Sequence, residues 1–101
     1  MIRVYYSPTF YFLNIHKIHY EFEGERIIVT YKYGDDPLIQ DDFDFSNFND
    51  GRIETDGIET IIPLQPISNA FREDGILYIE LTNFIGEDAS DFEKFPNWIE
   101  V

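Results

Sequence analysis

The chain has 101 residues, no cysteine, 44% hydrophobic and 18% aromatic content, and a formal net charge of −13. That length accommodates one hydrophobic core, so residues 1–101 are read as a single domain. Ten Phe, seven Tyr and one Trp exclude a disordered chain, and the missing cysteines exclude disulfides, thiolate metal sites and Cys nucleophiles.

No apolar run approaches the ~18 residues of a membrane span. Met1-Ile2-Arg3 leads straight into strand-like sequence rather than the apolar stretch of a signal peptide, so neither membrane insertion nor secretion is expected. The charge is unevenly spread. Residues 1–33 hold four bases against three acids, residues 34–59 hold nine acids against Arg52 alone, and residues 60–101 hold eight acids against Arg72 and Lys94. Direct binding of nucleic acid or anionic lipid is disfavoured, because phosphate contacts need clustered Lys and Arg. The excess acid serves either as a solubility coat or as a surface that docks on a basic partner.

Period-two alternation recurs along the chain, and extended helical periodicity does not. Ile2–Tyr6 reads as an N-terminal strand, and Phe10–Leu13 as a candidate second one. The clearest unit is a hairpin over residues 17–32, turning at Gly24-Glu25. Gly at the first central position of a two-residue loop suits a type II′ turn, which needs positive φ there. That register pairs Glu23 with Arg26, Phe22 with Ile27, Tyr20 with Val29 and Ile18 with Tyr31, and gathers the apolar side chains on one face. A one-residue slip would put that whole set into water.

Residues 34–51 form the richest acidic run, with Phe43, Phe45 and Phe48 as anchors between aspartates. Next, Ile-Glu-Thr on either side of Asp56-Gly57 predicts a hairpin over residues 52–62 with a type I′ turn, although Glu54 would then face Glu59 directly. A third hairpin joins Ile67–Glu73 to Ile76–Thr82 through Asp74-Gly75. Its second strand is apolar on both faces, as a central strand would be, and Pro63 and Pro66 precede it where no ladder hydrogen bond is needed. Glu87–Lys94 reads as one or two helical turns, capped by Asp88 or Ser90 and stopped by Pro96. The expected fold is mainly β: an antiparallel β-sandwich or partly open barrel of about seven or eight short strands built from hairpins, with one short C-terminal helix.

Motifs for chemistry are sparse. His16 and His19, the only histidines, are spaced for a helical metal site, but strand alternation sends them to opposite faces. Asp42, Asp44 and Ser46 match the first ligand positions of a calcium loop, and the pattern then fails at Asn47 and Ile53. Nucleophile elbows and phosphate-cradling glycine loops are absent. The expectation is therefore a protein with no catalytic residues, metal site or cofactor. The stretch Tyr5-Tyr6-Ser7-Pro8-Thr9-Phe10-Tyr11-Phe12 has only Arg3 as a basic neighbour, so it reads as core and protein-contact edge rather than a base-stacking platform.

Glu73-Asp-Gly-Ile-Leu-Tyr-Ile-Glu-Leu-Thr-Asn-Phe-Ile-Gly86, followed by Phe92-Glu-Lys-Phe-Pro-Asn-Trp98, resembles small acidic uncharacterised proteins encoded by bacteriophages and prophages, often among tail genes. The resemblance covers about a third of the chain and carries no catalytic or ligand signature. It implies a phage-derived structural or accessory protein, in the bacterial host cytoplasm or assembled into a phage particle. The leading expectation is a non-enzymatic protein–protein interaction module with Tyr78 and Trp98 as aromatic anchors. The alternative is an acidic, nucleic-acid-mimicking inhibitor of a DNA-binding or defence protein, presenting Asp41, Asp42, Asp44 and Asp50. An exposed edge strand leaves a route to a homo-oligomer open.

Overall fold

The computed structural model describes residues 2–10 and 15–101. Among them, eight strands and one short helix follow in the order β1 (Ile2–Phe10), β2 (His16–Glu23), β3 (Arg26–Tyr33), β4 (Ile39–Asp44), β5 (Gly51–Ile53), β6 (Ile67–Glu73), β7 (Ile76–Ile85), α1 (Asp91–Lys94) and β8 (Ile99–Glu100). They form a five-stranded sheet, β5-β6-β7-β1-β8, and a three-stranded sheet, β2-β3-β4. The fold is mainly β, as the alternation predicts, and the two sheets do not close into a barrel.

The β2–β3 hairpin has the predicted register, Glu23 opposite Arg26 through Ile18 opposite Tyr31. Gly24 has φ +60° while Glu25 keeps negative φ, as the type II′ assignment requires. The β6–β7 hairpin also forms, and both central residues of its turn have positive φ, Asp74 at 51° and Gly75 at 79°. That is the type I′ pattern. One extra residue, Ser68, bulges from β6 and donates its hydroxyl to the Glu80 carbonyl, 3.2 Å away. β7 is the central strand of its sheet. Its other neighbour, β1, runs parallel to it over nine residue pairs, so this sheet is mixed in direction. β1 reaches Phe10; the remainder of the candidate strand at 10–13 lies outside the described residues.

The predicted hairpin over 52–62 does not form. A turn is present at Asp56-Gly57, closed by Ile58 N–H donating to the Thr55 carbonyl at 3.1 Å, but neither central residue has positive φ. Without it the flanking segments diverge instead of pairing. Ile53 pairs with Ala70 in β5–β6 instead. The Gln65 amide takes the carbonyls of Thr55 (3.1 Å) and Ile58 (3.2 Å), giving them a partner outside any ladder. This loop also keeps Glu54 and Glu59 from being cross-strand partners.

The core lies between the sheets. Ile2, Val4, Ile67, Ala70, Leu77, Ile79 and Leu81 come from the larger sheet, and Ile27, Val29, Tyr31 and Phe43 from the smaller. Phe45 and Ile62 fill in from loops, so Phe45 anchors the acidic run as predicted. Tyr20 crosses between sheets and donates its hydroxyl to the Thr82 carbonyl of β7 at 2.5 Å, and burial holds that phenol well above its ordinary pKa. Ser90 caps α1 in a reciprocal capping box with Glu93, whose carboxyl is lowered by its hydrogen bonds to Ser90.

A second cross-sheet tie is the Arg72 guanidinium. It grips Glu25 with two parallel bonds (2.8 and 3.0 Å) and donates to the carbonyls of Phe45, Phe48 and Gly75 at 2.8–2.9 Å. All five N–H groups are thereby used. Only 9% of the Arg72 side chain and 21% of the Glu25 side chain are accessible. The type II′ turn that carries Glu25, the loop after β4 and the β6–β7 turn are thus held on one cation.

Candidate functional site

Tyr78, the third residue of β7 and on its outer face, has Phe71 of β6 and Arg3 of β1 as its cross-strand neighbours. The row continues to Arg52 on β5 and Glu100 on β8. Neighbouring strands are ~4.8 Å apart. The Phe71 and Tyr78 rings lie 4.7 Å apart and within 6° of parallel, so they stand upright on the sheet with their faces covering one another. On the Arg3 side the guanidinium carbon is 5.6 Å from the Tyr78 ring centroid, and its Nη1 donates to the Tyr78 hydroxyl at 3.2 Å.

Trp98 immediately precedes β8, which sits beyond β1 at the sheet edge. Three strand spacings, about 14 Å, separate β8 from β6. Yet the indole is 6.2 Å from Phe71 and 5.5 Å from both Tyr5 and Tyr78. The Trp98 side chain therefore folds back across β1 onto the outer face, nearly perpendicular to Phe71 (79°) and Tyr78 (85°). It remains 39% exposed. Tyr78 and Trp98, the two predicted anchors, are thus brought together in one cluster, with Tyr5, Phe71 and Arg3 completing it. Tyr5 belongs to the stretch read as core and protein-contact edge, whereas Phe71 and Arg3 escape a linear reading because their neighbours are set by strand order; the one signal for Arg3 was alternation, which puts it opposite Ile2 and Val4.

Tyr78 presents its ring edge rather than a ring face, because Phe71 and Arg3 occupy its two faces. Stacking on bases needs a free face. Apolar edges with a phenol and a guanidinium at the tips are suited to the mixed apolar and polar surface of a protein.

The four candidate aspartates are elsewhere, and each is engaged within the chain. Asp41 accepts from the Thr60 hydroxyl (2.8 Å), Ile61 N–H (3.2 Å) and Asp42 N–H (2.9 Å). Asp42 is bound by the Arg26 guanidinium through Nε at 2.8 Å and through Nη2. Asp44 accepts from Ser46 N–H at 2.9 Å, and its hydrogen bonds to Ser46 lower its carboxyl below the ordinary range. Asp50 accepts from Gly75 N–H at 3.1 Å. Asp42 and Asp44 lie on β4 and Asp50 ahead of β5, while Asp41 closes the β4 edge against the 58–62 loop. An open depression of about 330 Å³ between Glu21, Arg26, Ile28, Gln40, Asp41 and Asp42 has this ion pair in its wall.

The histidines part as expected. His16 is half-buried and stacks on Phe84 at 4.6 Å, and His19 is exposed. Among the described residues no group of three or more His, Asp or Glu side chains is placed to hold a metal ion. Compared with models of protein families, with curated proteins and with solved structures, the chain matches none.

Proposed function

We propose that the chain is a non-enzymatic protein-interaction module whose contact face is the outer surface of the five-stranded sheet around Tyr78 and Trp98, serving as a structural or tail-associated accessory protein of a phage or prophage. The observation that carries the reading is the aromatic cluster itself: Tyr5, Phe71, Tyr78 and Trp98 meet outside the core, with Trp98 39% exposed. Clustered, incompletely covered aromatics are the usual energetic centres of protein interfaces. The phage context rests on the resemblance of residues 73–98. The nucleic-acid-mimic reading draws on the net charge of −13 but gains nothing from the four aspartates, whose carboxylates already serve the fold.

A photo-crosslinking residue at the exposed Phe95, three residues before Trp98, tests this in particles purified from a strain carrying the gene. The expected result is one particle protein cross-linked at Phe95, lost with Trp98→Ala, and none cross-linked from Lys17 on the other sheet. Absence of the chain from particles, or equal capture from Lys17, overturns the proposal.

A further inference from the structure

Residues 92–101 hold four of the nine exposed large hydrophobic side chains among the described residues. Phe92 is 48% exposed, Phe95 77%, Trp98 39% and Val101 46%. No residue of α1 is buried. The segment is nevertheless held in place: Ser90 and Glu93 form the capping box, Pro96 is buried, Ile99 packs on the core, and Val101 N–H donates to the Ile2 carbonyl at 3.1 Å. Fixed backbone with outward aromatics leaves apolar surface unmatched within the chain. The three-residue spacing of Phe92, Phe95 and Trp98 keeps successive Cα atoms within about 11 Å of each other. Along the chain they make a short exposed aromatic ridge, whose last member, Trp98, belongs to the Tyr78 cluster. Glu87, Asp88 and Asp91 precede the three aromatics, Glu93 and Lys94 lie between them, and Glu100, paired with Arg3, follows.

We infer that this ridge docks a Lys- or Arg-rich amphipathic helix, whose apolar side chains meet Phe92, Phe95 and Trp98 while its cations meet the flanking carboxylates. Charge selects the occupant. A second copy joined through the same ridge would set the same acidic segment against itself, since a two-fold interface is self-complementary. Anionic lipid and nucleic acid are repelled for the same reason. A cationic helix satisfies both the exposed aromatics and the acids Glu87, Asp88 and Asp91 that precede them. The inference rests on the interaction-module reading and adds the chemical class of the partner.

Trp98 is the only tryptophan, so its emission reports the site directly. The probe is a Lys/Leu amphipathic peptide of roughly 18 residues, about 27 Å as a helix. Titrated into the full chain, it should shift Trp98 emission to the blue and bind more weakly as salt is raised. Phe92→Ser and Phe95→Ser leave the charge unchanged, lie at exposed positions, and should each weaken binding about tenfold, a change of ~1.4 kcal/mol, with unaltered circular dichroism. Equal binding of a Lys/Ser peptide of the same charge overturns the inference, because charge alone would then suffice. So does undiminished binding to both Phe→Ser variants, a Trp98 shift with neutral phosphatidylcholine vesicles, or self-association that Phe95→Ser abolishes. If the peptide fails while Phe95 still cross-links a particle protein, this inference falls and the interaction-module reading stands.

Discussion

Replacing Arg72 with Met tests whether a single cation holds the turns of both sheets together. The aliphatic stem is kept and the guanidinium is lost, with its two bonds to Glu25 and three to the carbonyls of Phe45, Phe48 and Gly75. Removing one partner of a buried ion pair costs about 3–5 kcal/mol, because the other charge is left without its partner. Glu25 is 21% accessible and regains some water, which places the expected loss near the lower end, about 3–4 kcal/mol. Domains of this size have stabilities of roughly 5–15 kcal/mol. At about 4–8 °C per kcal/mol the melting temperature should fall by about 12–32 °C. Urea unfolding followed by far-ultraviolet circular dichroism measures the loss. The double variant Glu25→Gln/Arg72→Met should be less destabilised than the sum of its parts, by about 1–3 kcal/mol, since no unpaired carboxylate remains. A single variant within about 0.5 kcal/mol of wild type, or strictly additive singles, would refute this account of Arg72.

The Arg72 hydrogen bonds hold the Glu25 carboxyl below its ordinary range, so their contribution is present above the unfolded value of about 4.3 and is lost as pH falls through the folded value. Acid titration of stability should show this loss in wild type and not in Arg72→Met. Tyr20→Phe should cost about 1–3 kcal/mol by leaving the Thr82 carbonyl unpaired. The raised Tyr20 pKa also predicts stability that is complete below about pH 10 and declines above it more steeply in wild type than in Tyr20→Phe, where the raised Tyr6 phenol remains. An alkaline limb identical in wild type and Tyr20→Phe would contradict that assignment. Gly24→Val meets no steric obstacle, so its expected cost of about 1–3 kcal/mol is backbone strain at φ +60°, and an unchanged urea midpoint would reject the type II′ turn. Asp41→Ala should lose about 1.5–3 kcal/mol with its bonds to Thr60 and Ile61, whereas a merely solvated carboxylate would leave thermal melting untouched.

What the sequence by itself determined is what short-range stereochemistry controls. Gly24 and Asp74-Gly75 can take the backbone angles that a two-residue hairpin loop needs, and alternation in the flanking strands then admits one register. Ser90 and Glu93 stand three apart, the spacing of a reciprocal cap. At Asp56-Gly57 the same local signal was present, and tertiary structure overrode it. Ile53 found a better partner in Ala70, and Gln65 satisfied the carbonyls that a ladder would have used. The parallel pairing of β1 with β7 joins segments about seventy-five residues apart, where no turn geometry links them and only packing of the whole core selects the neighbour. The candidate site inherits that dependence. Tyr78 and Trp98 were legible as candidate aromatic anchors, but their meeting with Tyr5, Phe71 and Arg3 required strand order and the return of the Trp98 side chain over β1. Arg72 shows the same limit: its sequence neighbours suggest a solvated strand end, and its four partner residues converge only when three separate turns are folded together.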